Sequence, residues 1–217
     1  MKKALIPILL VLILDQLVKI WIKTSMSLGE EILVFDDWFR IHFTENKGMA
    51  FGLEIGGAYG KLLLSFFRII AISVMGWYLA KIVKANEKTG LIVSVSLIFA
   101  GATGNMIDSA FYGLIFSASG YHTVAEFLPP SDTYASFLHG HVVDMFYFPI
   151  LRGQYPDWLP FVGGDSFLFF RPVFNIADSA ITVGVFVLLF FQKTFFPKEE
   201  VKDTDKADET IIEERSE

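Results

Sequence analysis

The sequence of 217 residues contains no cysteine, which excludes disulfide bonds, thiolate metal sites and a cysteine nucleophile. A lipid anchor linked to a cysteine of the chain itself is excluded for the same reason. Charged residues are scarce, at 19% of the chain, and no basic stripe with interleaved aromatic residues is present. Nucleic acid is therefore not expected as a partner.

The few charges are unevenly distributed, because most of the net charge of −6 lies at the C-terminal end. Residues 198–217 contain nine acidic and four basic side chains and few large apolar ones, which gives this segment a net charge of −5. A segment of this composition cannot bury a core. We therefore expect residues 198–217 to be a disordered acidic tail.

Long apolar blocks occupy the remainder of the chain, which is 53% hydrophobic overall and has a mean hydropathy of +0.49. A helix needs about 20 mostly apolar residues to cross the hydrocarbon core of a bilayer. We expect the first block to be retained as a helix, because Asp15, Gln16 and Lys19 interrupt it where a signal peptide is uninterrupted. The blocks predict one all-α membrane domain over residues 1–197 with four transmembrane helices, at about 4–22, 61–82, 91–113 and 173–196.

Lysines flank these blocks in a pattern that predicts the orientation of the chain. In a four-pass topology they all fall on one side: Lys2, Lys3, Lys81, Lys84, Lys88, Lys193, Lys198 and Lys202. By the positive-inside rule, both termini and the acidic tail are then cytoplasmic. Segments 23–60 and 114–172 become outer loops. Alternating apolar and polar residues at 32–35 and 38–43 predict short strands, so we expect a small β-containing region at the outer membrane surface.

Charged residues interrupt the predicted spans at a similar level in the outer half of the membrane, namely Asp15, Arg68, Asp108 and Asp178. A charged side chain near the bilayer centre costs about 2.5 to 3.5 kcal/mol, so unrelated charges at one common depth are not expected. Their agreement indicates one polar cavity between the helices. Asn105 and Asn175 add amides on the same helix faces, because each precedes an aspartate by three residues.

Five sequence motifs, in the same order along the chain, resemble those of the lipoprotein signal peptidases, also called signal peptidase II. They are Asp15-Gln16-Leu17-Val18-Lys19 (DQxxK), residues 44–52 TENKGMAFG (NxGxAFG), residues 101–108 GATGNMID (GGAxGNxxD), residues 142–144 VVD, and residues 174–179 FNIADS (FNxADS). A single motif would be weak evidence. Five motifs in order extend the resemblance over most of the chain.

The resemblance implies an intramembrane aspartyl endopeptidase that cuts diacylglyceryl-modified prolipoproteins on the amino side of the lipidated cysteine. It places the catalytic pair at Asp144 and Asp178 and gives supporting or substrate-contacting roles to Asp15, Lys19, Asn46, Gly48, Asn105, Asp108 and Asn175. We also expect a monomer among the lipids of the bacterial cytoplasmic (inner) membrane, with the active site towards the outer face. No cofactor is expected.

Two carboxyls held close together suit peptide hydrolysis, because both cannot ionise cheaply and one keeps its proton. The ionised partner takes a proton from water as the water attacks the scissile carbonyl, and the protonated partner donates to the carbonyl oxygen. The pair then supplies a proton to the leaving amine. This route needs no metal. His139 and His141, which precede Asp144, have the residue types of a metal site but are more simply interpreted as polar loop residues.

The chain departs from the family pattern at two places. Ser109 stands where the family usually has an arginine directly after the aspartate, and residues 111–140 form a longer segment than the motif spacing of the family predicts. We expect Arg68 to supply the missing cation, because it lies at about the depth of Asp108 in the predicted spans.

Structural interpretations compete with functional ones at two further places. Asp15 and Lys19, four residues apart on one helix, are expected to form a buried ion pair that orients helices rather than to act directly in catalysis. Gly101 and Gly104 are expected to permit close helix packing.

Two other functions are compatible with carboxylates in a membrane. A small proton-coupled transporter is the main alternative, but a transport path needs polar groups at both depths, and the inner halves of the predicted spans are almost entirely apolar. A noncatalytic assembly protein or chaperone would leave the carboxyl pair unexplained.

Overall fold

The computed structural model describes residues 1–35, 38–47, 57–169 and 172–197. Gly48 and the predicted acidic tail at 198–217 lie outside the described residues. The helices are α1 (Lys2–Ser25), α2 (Gly57–Lys84), α3 (Thr89–Ile107), a π-helical turn (Asp108–Tyr112), α4 (Gly113–Ile115), α5 (Ile176–Phe190) and α6 (Gln192–Phe195).

Three helical segments within the described ranges are long and apolar enough to cross a bilayer, namely Lys2–Ser25, Gly60–Lys84 and Thr89–Ile115. Phe66, Phe67 and Trp77 of α2 expose more than half of their surface, as expected for a helix in contact with lipid. The chain is therefore a multi-pass membrane protein.

Helix α5 begins later than the predicted fourth span at 173–196. Val173 and Phe174 form a short strand, and the side chain of Asn175 caps the helix by accepting a hydrogen bond from the backbone N–H of Asp178 at 2.9 Å. With its 15 residues, α5 is about 22 Å long, which is shorter than a hydrocarbon core of about 30 Å. Four spans with two cytoplasmic termini therefore stay a prediction.

The predicted small β-containing region is confirmed. Its strands are β1 (Glu31–Phe35), β2 (Phe39–Asn46), β3 (Val142–Tyr147), β4 (Leu151–Gln154), β5 (Ser166–Phe169) and β6 (Val173–Phe174). The antiparallel order is β1-β2-β3-β6 in one sheet, and β4 pairs with β5 in the other. Thr44 of β2 lies opposite Asp144 of β3, and Phe146 of β3 lies opposite Phe174 of β6. Because β6 leads directly into α5, the sheet fixes Asp144 relative to the start of that helix.

Glycines allow α3 to pack closely against α1 and α5. A Cβ atom at Gly101 would lie 2.2 Å from the carbonyl oxygen of Ala177 on α5, and one at Gly104 would lie 2.9 Å from Oδ2 of Asp15 on α1. Any larger residue at position 101 would have to displace backbone. The predicted packing role of both glycines is therefore confirmed.

A hydrophobic cluster joins the C-terminal end of α1 to the sheet; its members are Ile22, Met26, Phe43, Tyr112, Phe116, Val143 and Met145. Successive residues of a strand point to opposite faces of a sheet. Val143 and Met145 therefore enter this cluster, and Asp144 between them points to the other face.

Candidate active site

Asp144 occupies the middle of β3 and is only 5% exposed. Its Oδ1 accepts a hydrogen bond from Nδ2 of Asn175 at 2.7 Å, and the side chain of Asn46 on β2 provides a further hydrogen bond. Burial and the nearby carboxylate of Asp178 raise the pKa of Asp144 to about 7, although both hydrogen bonds oppose the rise. This carboxyl therefore titrates near neutral pH.

Asp178 lies in the first turn of α5, where a helix leaves backbone N–H groups without helical partners. The residue forms a reciprocal cap with Asn175, whose backbone N–H donates to Oδ2 of Asp178 at 3.4 Å. The other carboxylate oxygen, Oδ1, accepts a hydrogen bond from Nδ2 of Asn105 at 2.7 Å. The cap and Asn105 together determine the orientation of the carboxylate.

Two amides connect the predicted catalytic carboxyls. Nδ2 of Asn175 lies 2.7 Å from Oδ1 of Asp144 and 3.2 Å from Oδ1 of Asn105, and Asn105 in turn donates to Asp178. Asn175 is fully buried, so its amide is not shared with solvent. Asp144 and Asp178 thus belong to one hydrogen-bonded network, and the charge of Asp178 disfavours ionisation of Asp144.

The ammonium group of Lys19 contacts three oxygen acceptors of this network. Its Nζ lies 2.8 Å from Oδ2 of Asp15, 2.8 Å from Oδ2 of Asp108 and 2.8 Å from Oδ1 of Asn105. Both ion pairs are completely buried, and the predicted pair between Asp15 and Lys19 is confirmed. Oδ1 of Asp15 also accepts the backbone N–H of Ala177 at 2.8 Å, which ties α1 to the start of α5.

Asp108 begins the π-helical turn that ends α3, a distortion that is frequent at functional sites. Nε2 of Gln16 donates to its Oδ1 at 2.8 Å, and the backbone N–H of Val143 lies 3.4 Å from its Oδ2. The hydroxyl of Tyr112 donates to Oε1 of Gln16 at 3.2 Å. Sequence reasoning did not assign a role to Gln16 or Tyr112, although Gln16 lies inside the first motif.

The structure brings Arg68 to the site on the side of Asp178. The guanidinium of Arg68 interacts electrostatically with the Asp178 carboxylate. Ser109 is buried, and its hydroxyl donates to the backbone oxygen of Asn105 on its own helix at 3.1 Å. Arg68 therefore carries its charge near Asp178, whereas Ser109 completes the local hydrogen bonding of α3.

The histidines next to Asp144 have separate partners. Nδ1 of His139 lies 3.0 Å from Oγ of Ser136, and Nδ1 of His141 lies 2.8 Å from Oε2 of Glu45. Over the part of the chain that the structure describes, no group of three or more His, Cys, Asp or Glu side chains is placed to hold a metal ion.

A second buried polar cluster surrounds Lys23 and was not identified from the sequence. Lys23 is fully buried and pairs with Glu45, which in turn contacts Ser119 and His141. The available signal was the spacing of four residues between Asp15, Lys19 and Lys23, which places all three on one face of α1.

Comparison with known proteins reveals relatives along nearly the whole chain. Residues 7–194 match the sequence profile of the family described as Signal peptidase (SPase) II. The chain is 52% identical over 183 residues to the lipoprotein signal peptidase of Porphyromonas gingivalis, covering 84% of this chain and 79% of the relative. It is 35% identical over 214 residues to the lipoprotein signal peptidase of Amoebophilus asiaticus, covering 96% and 86%.

A solved structure has a similar fold. It is a bacterial membrane enzyme determined by the in meso method at 1.9 Å resolution, and it matches with a TM-score of 0.57 and 25% sequence identity. The match covers 94% of this chain and 96% of the solved chain. The helices and the antiparallel sheet described above therefore have a counterpart in a membrane enzyme.

Proposed function

Because the chain belongs to the signal peptidase II family of aspartic peptidases, we propose that it removes the signal peptide from diacylglyceryl-modified prolipoproteins by cutting before the lipidated cysteine. The observation that carries the proposal is the connection between Asp144 and Asp178. Amides of Asn105 and Asn175 link the two carboxylates, and burial together with the Asp178 charge raises the pKa of Asp144. This is the arrangement that an acid and base pair requires.

In the proposed mechanism, Asp144 and Asp178 share one proton. The ionised member takes a proton from a water molecule as that water attacks the scissile carbonyl carbon. The protonated member donates to the carbonyl oxygen, which gives a tetrahedral intermediate. As the C–N bond breaks, the member that took the proton from water gives it to the leaving amine, and the other member recovers a proton from a hydroxyl of the intermediate, so both return to their starting states over one cycle.

The neighbouring residues are proposed to fix the pair rather than to react. Asn105 and Asn175 hold one carboxylate oxygen each, and Lys19 holds Asn105 in turn. Asp15 secures the start of α5 through the backbone of Ala177. A preorganised pair does not have to be reoriented during each cycle, which lowers the barrier to proton transfer.

We place the site at the outer face of the bacterial cytoplasmic membrane, in a four-pass monomer with both termini cytoplasmic and an acidic tail at 198–217. The distribution of lysines supports this orientation. Asp144 lies in a sheet at the end of the helices, where a lipid-bearing substrate can arrive sideways from the outer leaflet. The buried charges of the described residues gather at this end, which does not favour a transport path across the bundle.

A cleavage assay with the purified protein tests the proposal. We expect it to cut a diacylglyceryl-modified prolipoprotein and to leave the same precursor intact when its cysteine is replaced by serine, which cannot carry the lipid. Mass spectrometry of the product identifies the new amino terminus. Cleavage of both precursors at equal rates, or of neither, would contradict the proposed substrate class.

The proton shared by Asp144 and Asp178 predicts a loss of activity at alkaline pH. The pKa of Asp144 is raised to about 7, so the pair loses its remaining proton, and with it the general acid, as the pH rises through that value. We expect kcat/KM to fall about tenfold for each further pH unit above the apparent pKa. Rates measured from about pH 5 to about pH 9 check this, and a rate that still rises at the alkaline end would exclude it.

The cation at Arg68 predicts a difference between two variants of the same helix. Arg68→Ala removes the charge that interacts with Asp178, whereas Lys61→Ala removes a lysine whose Nζ donates to the backbone oxygen of His139 at 2.7 Å. We expect kcat/KM to fall about tenfold more in Arg68→Ala than in Lys61→Ala, equivalent to about 1.4 kcal/mol of transition-state stabilisation. Equal losses in the same cleavage assay would remove Arg68 from the site.

A further inference from the structure

The cluster around Lys23 lies directly behind the site. Lys23 is one helical turn beyond Lys19 on α1, and its ammonium forms a buried ion pair with Glu45 of β2. It also donates to Oγ of Ser119 at 2.9 Å and lies 4.7 Å from the ring centroid of Tyr134. Residues from α1, from the sheet and from the added segment at 111–140 therefore meet at one ammonium group.

Glu45 joins three separate parts of the chain. Besides Lys23 of α1, its Oε1 accepts the hydroxyl of Ser119 at 2.7 Å, and its Oε2 lies 2.8 Å from Nδ1 of His141, just before β3. Burial alone would raise the pKa of Glu45, but the hydrogen bond from His141 and the charge of Lys23 lower it to about 2. The carboxylate is thus charged at neutral pH.

The end of the added segment at 111–140 packs against the π-helical turn, and this places His141 next to Glu45. The backbone N–H of Gly140 donates to the carbonyl oxygen of Ser109 at 2.9 Å, and the backbone N–H of His141 donates to the hydroxyl of Tyr134 at 2.8 Å. A Cβ atom at position 140 would lie 2.2 Å from the carbonyl oxygen of Asp108, so the segment rests directly on the π-helical turn. The added segment at 111–140 is therefore part of the packed structure around Glu45.

The position of Glu45 on its strand connects this cluster to the site. Glu45 lies opposite Val143, so its side chain enters the same side of the sheet as the hydrophobic cluster. Its neighbour Asn46 points to the other side and hydrogen bonds to Asp144. If Glu45 lost one of its contacts and shifted, its neighbour Asn46 would therefore move with it, and the orientation of Asp144 would change.

We propose that Glu45 is a positioning residue: held by Lys23, Ser119 and His141, it fixes β2 against β3 so that Asn46 keeps its hydrogen bond to Asp144 in the reactive geometry. This inference rests on the proposed function, because the geometry matters only if Asp144 reacts. The competing explanation is that Lys23 and Glu45 form an ion pair that contributes to stability alone. Buried ion pairs can often be replaced by neutral residues without loss of stability, whereas removal of one partner leaves an uncompensated charge.

Paired removal of the two charges separates these explanations. Glu45→Gln, Lys23→Met and the double variant are prepared as full chains in detergent micelles, with the exposed Glu126→Gln as the matched control. The melting temperature, kcat and KM for the lipidated precursor are measured for each. We expect both single variants to melt lower and the double variant to recover most of the melting temperature.

The positioning role predicts that kcat does not recover with stability. In the double variant we expect kcat to stay about tenfold or more below that of the unmodified protein, with KM changed by less than about twofold, because the reacting carboxyl is displaced while substrate binding is retained. Glu126→Gln should leave both constants unchanged. A double variant with the kcat of the unmodified protein would overturn the proposal and leave the pair a role in stability alone.

Variants at His141 keep the test decisive if the double variant does not fold, because they leave both charges in place. His141→Asn retains an N–H donor close to the position of Nδ1, and His141→Ala does not. We expect kcat to fall about threefold or more in His141→Ala and to be restored in His141→Asn. Equal kcat in all three proteins would contradict the positioning role, whereas an unmodified protein without cleavage activity would contradict the proposed function itself.

Discussion

Asp144→Asn and Asp178→Asn are each expected to lower kcat for prolipoprotein cleavage by about 10³-fold or more, because an amide can neither accept the proton from water nor donate one to the leaving amine. The two losses should be similar, since the acid and the base act in the same cycle. An enzyme that lacks both carboxyls should be no worse than either single variant, because the residues act as a unit.

Both variants are expected to fold, which allows the loss to be assigned to chemistry. Asparagine has the shape of aspartate, and its carbonyl oxygen can still accept the hydrogen bond that Asn175 gives to Asp144, or the one that Asn105 gives to Asp178. The matched control is Asp132→Asn, an exposed position with a φ of 74° that asparagine also adopts. The cleavage assay and the melting temperature of each purified variant provide the measurement. A residual activity above about a tenth of that of the unmodified protein would indicate a supporting role for the residue concerned.

Lys19→Met is expected to lower the free energy of unfolding by about 3–5 kcal/mol, the usual cost of removing one partner from a buried ion pair. Methionine fills a similar volume, so the loss comes from charge rather than from a cavity. Without the ammonium group, the carboxylates of Asp15 and Asp108 stay buried together with no cation between them. Asn105 loses the donor that holds its amide oxygen.

Lys84→Met provides the control for this measurement. Lys84 is exposed in the last turn of α2, where a lysine stabilises a helix by less than about 1 kcal/mol. Chemical unfolding of both variants in detergent micelles gives the two free energies. A loss in Lys19→Met no larger than in Lys84→Met would show that the buried charges do not depend on their ammonium partner.

The sequence was sufficient to predict that the polar residues of the spans form one site. A common depth for Asp15, Asp108 and Asp178 depends only on the rise of a helix and the thickness of a bilayer. The structure joins these residues through Lys19 and Asn105, as a shared cavity requires. The catalytic roles of Asp144 and Asp178 stay predictions.

Contacts that depend on the sheet were beyond prediction from the sequence. The alternation at 38–43 predicts a strand, but it does not specify that Thr44 lies opposite Asp144 or that Glu45 lies opposite Val143. Strand register is decided by pairing between segments about a hundred residues apart in the chain, for which one sequence carries no direct signal. The contacts of Lys23 with Glu45 and Ser119 were missed for the same reason.

The start of α5 differed from the prediction because hydropathy and local hydrogen bonding give different boundaries. Val173 and Phe174 are apolar and extend the hydrophobic block. The side chain of Asn175, however, caps the N-terminus of α5, so the helix begins only at Ile176. A cap of this type was recognisable, since Asn175 is followed three residues later by an acidic residue. The capping pattern at Asn175 therefore predicts the start of α5 better than the hydrophobic block does.

The contact between Gly101 and Ala177 limits how this protein can be engineered. Consensus approaches that raise thermostability commonly exchange helical glycine for alanine, which favours an isolated helix by about 1 kcal/mol. At position 101 the added methyl group would be driven into the carbonyl of Ala177, and the first turn of α5 would have to retreat from its neighbour. A glycine-to-alanine exchange at this position would therefore favour the isolated helix α3 but displace the start of α5, which carries Asp178, and we expect it to lower activity.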